Sequence, residues 1–144
     1  MIYIMSTYKI SMKTVGGIMT KPVKTIGPGE TIGAAAEMMK KNRIGSLVVV
    51  KKDEPVGIVT ERDIAYKLVA EGKGSDTKVK DVMSTDLKTI SEDKSLMDAA
   101  KLMAAHVIRR LPVVKNGKVV GIVAIEDIMR SERIGEDPDA YSFS

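Results

Sequence analysis

Two short stretches carry side chains with usable chemistry. Thr60-Glu61-Arg62-Asp63 sets a hydroxyl three residues ahead of a carboxylate, and Arg109-Arg110 sets two guanidiniums side by side. The first stretch follows the apolar run Val56 to Val59 and precedes Ile64, Leu68 and Val69, so it sits where a strand feeds a helix. Free N–H groups at a helix start carry partial positive charge and suit an anion such as phosphate. The Thr60 hydroxyl adds a donor there. Asp63, about one turn on, can aim its carboxylate at the same opening, and two acceptor oxygens can take both hydroxyls of a ribose cis-diol. Phosphate at the cap and diol at the carboxylate fit the two ends of a nucleoside monophosphate. Apolar strand residues, Ile58 among them, could sandwich a flat base. The same spacing is also a capping box in its Asp form, worth about 0.5–2 kcal/mol with no ligand at all. Both readings stand, and they are compatible in part.

These residues need elements to hold them, and the chain supplies each element twice. Val56-Gly57-Ile58-Val59-Thr60-Glu61-Arg62-Asp63-Ile64 returns as Val120-Gly121-Ile122-Val123-Ala124-Ile125-Glu126-Asp127-Ile128, at an offset of 64 residues. Met19/Met83, Thr25/Thr89, Ala35/Ala99, Met39/Met103 and Leu47/Leu111 fall on the same offset. A repeat this regular means a duplicated unit that packs on its own copy. In the first copy Val23 to Ile26 predicts a short strand, and Gly27-Pro28-Gly29 a turn. Thr31 caps a helix whose face is Ile32, Ala35, Ala36 and Met39. Leu47 to Val50 and Val56 to Val59 predict strands around a turn at Lys51 to Pro55, and a second helix runs from Thr60 toward Gly72. In the second copy Ser95 caps a helix with Leu96, Ala99, Ala100 and Met103 on one face. Leu111 to Val114 and Val119 to Val123 flank Asn116-Gly117, a hairpin signal. Ile2 to Ile10 reads as a further strand-like stretch. Each copy therefore reads strand, helix, strand, strand, helix, and two copies facing each other make a core that neither half makes alone.

Composition narrows the function. At 144 residues, 44% hydrophobic and 29% charged, the chain is an ordinary globule in one domain or two small halves. It has no cysteine, which excludes disulfides, thiolate metal sites and a cysteine nucleophile. No apolar run reaches the ~18–20 residues of a membrane span, and Met1 to Met5 is too short for a signal-peptide core, so the expected location is the cytoplasm. Met5 and Met12 are alternative starts. The net charge of +4 favours an anionic partner only slightly. His106, the single histidine, falls at a helix end where a cation offsets the dipole. Met39 and Met103 occupy equivalent core faces, so the ten methionines point to packing and not to a soft metal. The segment Glu136-Asp137-Pro138-Asp139 is an acidic tail.

In order along the chain, Ile18-Met19-Thr20 and Val82-Met83-Ser84, Ile44-Gly45-Ser46-Leu47-Val48-Val49-Val50, Arg109-Arg110-Leu111-Pro112-Val113-Val114, and Gly57-Ile58-Val59-Thr60 with Asp63 resemble a tandem pair of CBS domains, or Bateman module. The resemblance implies an α+β fold of two βαββα repeats about a pseudo-twofold axis, dimerising as a disc. Repeat one covers 14–72 and repeat two 78–131, between an N-terminal segment 1–13 and a tail 132–144. It implies a non-enzymatic, stand-alone sensor with no required cofactor. The implied ligand is adenine-containing, AMP-like first, then ADP, ATP or S-adenosylmethionine, and a separate effector protein would read it. By family geometry one site joins Ile58, Thr60 and Asp63 with Thr89, Ile90 and Arg110. The other joins Ile122 and Asp127 with Thr25, Ile26 and Arg109, and Ser46 serves either. Arg109 and Arg110 would bring much of the charge for phosphate, with Arg62 and Arg43 as lesser contributors. Because Thr60 has Ala124 as its counterpart, the sites should be unequal. The competing reading is a ligand-free scaffold or interaction module, favoured by Ala124 and Gly45. Nucleic-acid binding lacks stacking aromatics and a recognition helix, and no membrane association is expected.

Overall fold

Ser and Thr cap the helices where the sequence places them. The computed structural model describes residues 13–133; the strand expected between Ile2 and Ile10 and the acidic tail from Glu136 lie outside the described residues. The elements are α1 (Val15–Ile18), β1 (Thr25–Ile26), α2 (Ile32–Asn42), β2 (Ser46–Lys51), β3 (Glu54–Thr60) and α3 (Glu61–Asp63), which runs into a π-helix (Ile64–Val69). A 3₁₀ turn (Val79–Asp81) follows, then β4 (Ile90–Ser91), α4 (Leu96–His106), β5 (Arg110–Lys115), β6 (Lys118–Ala124) and α5 (Ile125–Arg133). Thr31 Oγ1 accepts the Ala34 N–H at 3.1 Å, and Ser95 Oγ accepts the Asp98 N–H at 3.0 Å. Helix α2 buries Ile32, Ala35 and Met39, and α4 buries Leu96, Ala99 and Met103. Ala36, assigned to the buried face of α2 from its spacing, is exposed. Both helices end on a left-handed residue, Arg43 (φ 55°) and Val107 (φ 53°).

Two three-stranded sheets follow, ordered β1-β2-β3 and β4-β5-β6. The first strand of each sheet is parallel to the second, Thr25 beside Val48 and Ile90 beside Val113. Strands β2 and β3 are antiparallel with Ser46 opposite Thr60 and Val48 opposite Ile58. Their turn holds Lys52 (φ 53°) and Asp53 (φ 65°) left-handed, the conformation Asn116 (φ 54°) and Gly117 (φ 77°) adopt in the second copy. Lys-Asp gives no hairpin signal by itself. The turn is held because its carbonyls take bonds from the start of β6: Asp53 O from the Val119 N–H at 3.0 Å, and Lys52 O from Lys118 Nζ at 2.8 Å.

The described chain divides into two compact units. One is Val23–Lys88 with Gly117–Val119; the other is Thr89–Asn116 with the described residues up to Pro22 and from Val120. Their cores match pair by pair at the repeat offset: Ile26/Ile90, Ile32/Leu96, Ala35/Ala99, Met39/Met103, Leu47/Leu111, Val49/Val113 and Val59/Val123 are all buried. At roughly 1.5–3 kcal/mol for each large side chain removed from water, these pairs dominate the stability of each unit. The units are not the same partition as the sequence repeats. Thr20 pairs with Ile122, and Ser84 pairs with Ile58. This is why Gly121 and Gly57 lack side chains. A Cβ on Gly57 would stand 2.8 Å from Met83 Sδ and 2.9 Å from Ser84 O, and one on Gly121 2.9 Å from Met19 Cγ and 3.0 Å from Thr20 O.

Candidate functional site

The stretch Thr60 to Asp63 forms a complete capping box. Strand β3 delivers Thr60 in extended conformation (φ −121°, ψ 164°), and the chain turns into α3 at Glu61. The Asp63 N–H donates to Thr60 Oγ1 at 3.1 Å. In return Asp63 Oδ2 accepts the Thr60 N–H at 2.9 Å and the Thr60 hydroxyl at 3.0 Å. The other carboxylate oxygen, Oδ1, lies 3.1 Å from Lys67 Nζ, one turn on. The Asp63 side chain is 14% exposed, so part of it still meets solvent. The helix start is less open to an anion than its sequence suggests. Gly45 O accepts the Glu61 N–H at 3.0 Å and Thr60 Oγ1 occupies that of Asp63. The Thr60 hydroxyl is the group that can turn from carboxylate to ligand without breaking the backbone caps.

The second copy shows what remains when the hydroxyl is absent. The Ala124 N–H still donates to Asp127 Oδ2 at 3.0 Å, so the carboxylate arm of the box survives and the hydroxyl arm is gone. Arg130 Nη1 reaches Asp127 Oδ1 at 3.5 Å, at the outer limit of a hydrogen bond.

The other expected residues divide between the two units. Thr25, Ile26, Ser46, Ile58, Thr60 and Asp63 lie in one; Thr89, Ile90, Arg109, Arg110, Ile122 and Asp127 lie in the other. Within the first, Ser46 is buried and stands opposite Thr60, and Thr25, Val48 and Ile58 form a row across the sheet. The N–H and C=O of Ile58 are both already bonded to Ser84, at 3.0 and 2.8 Å, and those of Ile122 to Thr20, at 3.1 and 2.8 Å. Arg110 is the half-buried first residue of β5, and Ile90 the buried first residue of β4. Arg109 is 69% exposed and ion-paired with Glu126 Oε1 at 2.5 Å. The bond from Arg109 holds the Glu126 carboxyl below its usual range. Arg62 stacks over the Tyr66 ring at 5.8 Å from its centroid. Glu126 and Lys67 have no role in the sequence reading, and Val82 enters it only within the Val82-Met83-Ser84 motif. The spacing of Asp63 and Lys67 is a helix i,i+4 pair and could have flagged Lys67.

Among the described residues no group of three or more His, Cys, Asp or Glu could hold a metal ion, and no helix is long and apolar enough to cross a membrane. The CBS domain model matches twice, over residues 15–70 and 79–133. The CBS domain-containing protein YhcV of Bacillus subtilis is 42% identical over 125 residues, covering 87% of this chain and 89% of that protein. The crystal structure of the CBS domain protein NE2398 superposes with a TM-score of 0.74 at 32% identity, over 90% of this chain and 98% of that one. The CBS domain pair of protein MJ0100, solved with 5′-methylthioadenosine and S-adenosyl-L-methionine, superposes at 0.75 with 32% identity, over 83% of this chain and 94% of that one.

Proposed function

The chain belongs to the CBS-domain family and carries the domain in tandem, and from that premise we propose that it is a regulatory module that binds an adenosine-containing ligand, AMP-like first. The observation that carries this reading is the Asp63 side chain, mostly buried yet still reached by solvent, beside a Thr60 hydroxyl that can rotate off its carboxylate. A carboxylate so placed takes a ribose diol, and the hydroxyl takes a phosphate oxygen. The two ligands in the MJ0100 complex share the adenosine part and lack a phosphate, which supports the diol end of the reading most. The family resemblance assigns the remaining contacts to Thr89, Ile90 and Arg110. With Arg109 bound to Glu126, Arg110 is the main source of charge for a phosphate, which fits a monophosphate better than a triphosphate. The module acts in the cytoplasm as a homodimer, by binding and not by catalysis, and a separate effector protein reads its state.

The test is thermal melting of wild type and Asp63→Ala with AMP, ATP and S-adenosylmethionine. A ligand at 100 times its Kd stabilises the wild type by about 2.7 kcal/mol, and Asp63→Ala loses most of that shift. No shift in the wild type at millimolar ligand overturns the reading. It would favour the alternative, a ligand-free scaffold, for which the capping box already satisfied by its own residues speaks.

A further inference from the structure

A carboxylate that receives a diol must keep one free acceptor site on each oxygen, and the bonds around Asp63 can be counted. Two oxygens offer about four lone-pair sites. Oδ2 takes two bonds, from the Thr60 N–H and the Thr60 hydroxyl. Oδ1 has one charged partner, Lys67 Nζ, ion-paired at 3.1 Å. When the hydroxyl turns to a phosphate, each oxygen is left with one fixed partner and one open site, the arrangement a cis-diol needs. Lys67 is itself held: its Nζ also donates to Val82 O at 3.3 Å, on the backbone just after the 3₁₀ turn. A lysine free to swing could not fix a carboxylate; one anchored on a backbone carbonyl can. In the second copy the cation on Asp127 Oδ1 is the exposed Arg130, at 3.5 Å, in place of a lysine anchored on a backbone carbonyl. Ser131 stands where Lys67 would, buried, with its carbonyl and hydroxyl taken by Lys13 Nζ at 3.1 and 3.2 Å.

We propose that Lys67 is a positioning residue, which holds Oδ1 of Asp63 from the Val82 carbonyl and so sets the carboxylate to discriminate a ribose diol from a deoxyribose. The inference rests on the adenosine reading above. It makes the first copy the discriminating one for two reasons, the Thr60 hydroxyl and the anchored Lys67.

The experiment is calorimetric titration of the full chain with AMP and with 2′-deoxy-AMP, for wild type, Lys67→Met and Lys67→Arg. Met keeps the apolar stem and removes the charge. Wild type is expected to favour AMP by about tenfold or more, the worth of one hydrogen bond to a charged acceptor. Lys67→Met is expected to cut that ratio at least threefold, and Lys67→Arg to restore part of it. Equal weakening of both ligands in Lys67→Met, with the ratio intact, would make Lys67 a structural residue and overturn the inference. Unchanged binding in Lys67→Met would overturn it too. A wild type that binds AMP without discriminating the 2′-hydroxyl refutes the diol assignment of Asp63 and the inference with it. A wild type that binds neither ligand refutes the proposed function itself.

Discussion

Exchanging the two cap residues should move stability in opposite directions. Thr60→Ala removes one acceptor for the Asp63 N–H and one donor to Asp63 Oδ2, and leaves the backbone N–H of residue 60 bonded to the carboxylate. The second copy already displays that end state, with only the Ala124 N–H on Asp127 Oδ2 at 3.0 Å. An N-cap Thr replaced by Ala costs about 0.5–2 kcal/mol, typically about 1. The reciprocal change, Ala124→Thr, restores the missing arm beside a carboxylate already in place and should add about 0.5–1 kcal/mol. At roughly 2–4 °C per kcal/mol for a chain near this size, the two variants should separate from each other by several degrees. Urea unfolding followed by circular dichroism checks this: the midpoint falls for Thr60→Ala and rises for Ala124→Thr, with the slope unchanged. Thr60→Ser, which keeps the hydroxyl, stays near wild type. Midpoints that move in the same direction, or a Thr60→Ala midpoint equal to that of the wild type, would refute the box as the source of the difference between the copies.

Other consequences can be checked on the same preparations. Val107 is β-branched, 91% exposed and left-handed at φ 53°, a conformation that costs about 1–2 kcal/mol, so Val107→Gly should raise the urea midpoint; a fall would mean the conformation carries no strain. Gly57→Ala should destabilise by about 1–3 kcal/mol, because its Cβ meets the Ser84 carbonyl at 2.9 Å as well as Met83 Sδ at 2.8 Å. Trimming Met83 to Ala should rescue it only in part, whereas Gly29→Ala, with nothing within 4 Å, should be neutral or slightly stabilising. Full rescue by the methionine change would show that the backbone contact does not matter. The Glu126 carboxyl, lowered first by its bond from Arg109, should titrate below its unfolded value. Its contribution is therefore present above the unfolded pKa and fades as pH falls through the lower folded one. Carboxyl NMR should show that midpoint return toward normal in Arg109→Met, and high salt should weaken the pairing at this exposed site; a midpoint indifferent to Arg109 would contradict the ion pair.

What could be read from sequence is what depends on near neighbours. The offset of 64 residues, the period of the apolar residues and the Ser and Thr caps determine βαββα twice, and the matched core pairs follow from them. Thr60 and Asp63 were legible as a cap for the same reason: three residues separate them. The candidate site was legible only in that half. Tertiary structure decided which groups spend their hydrogen bonds on one another. It sets Glu126 on Arg109, 17 residues away, one of the two arginines expected to bring charge for a phosphate. It lays Met83 and Ser84 over Gly57, and Met19 and Thr20 over Gly121, which explains two glycines that a strand pattern alone would leave unexplained. It holds the Lys52-Asp53 turn left-handed without a glycine, through bonds from residues 118 and 119. It also anchors Lys67 on Val82. Each of these is a contact between groups far apart along the chain. Local propensity carries no information about such pairs; they form only when the packed cores have brought the segments together.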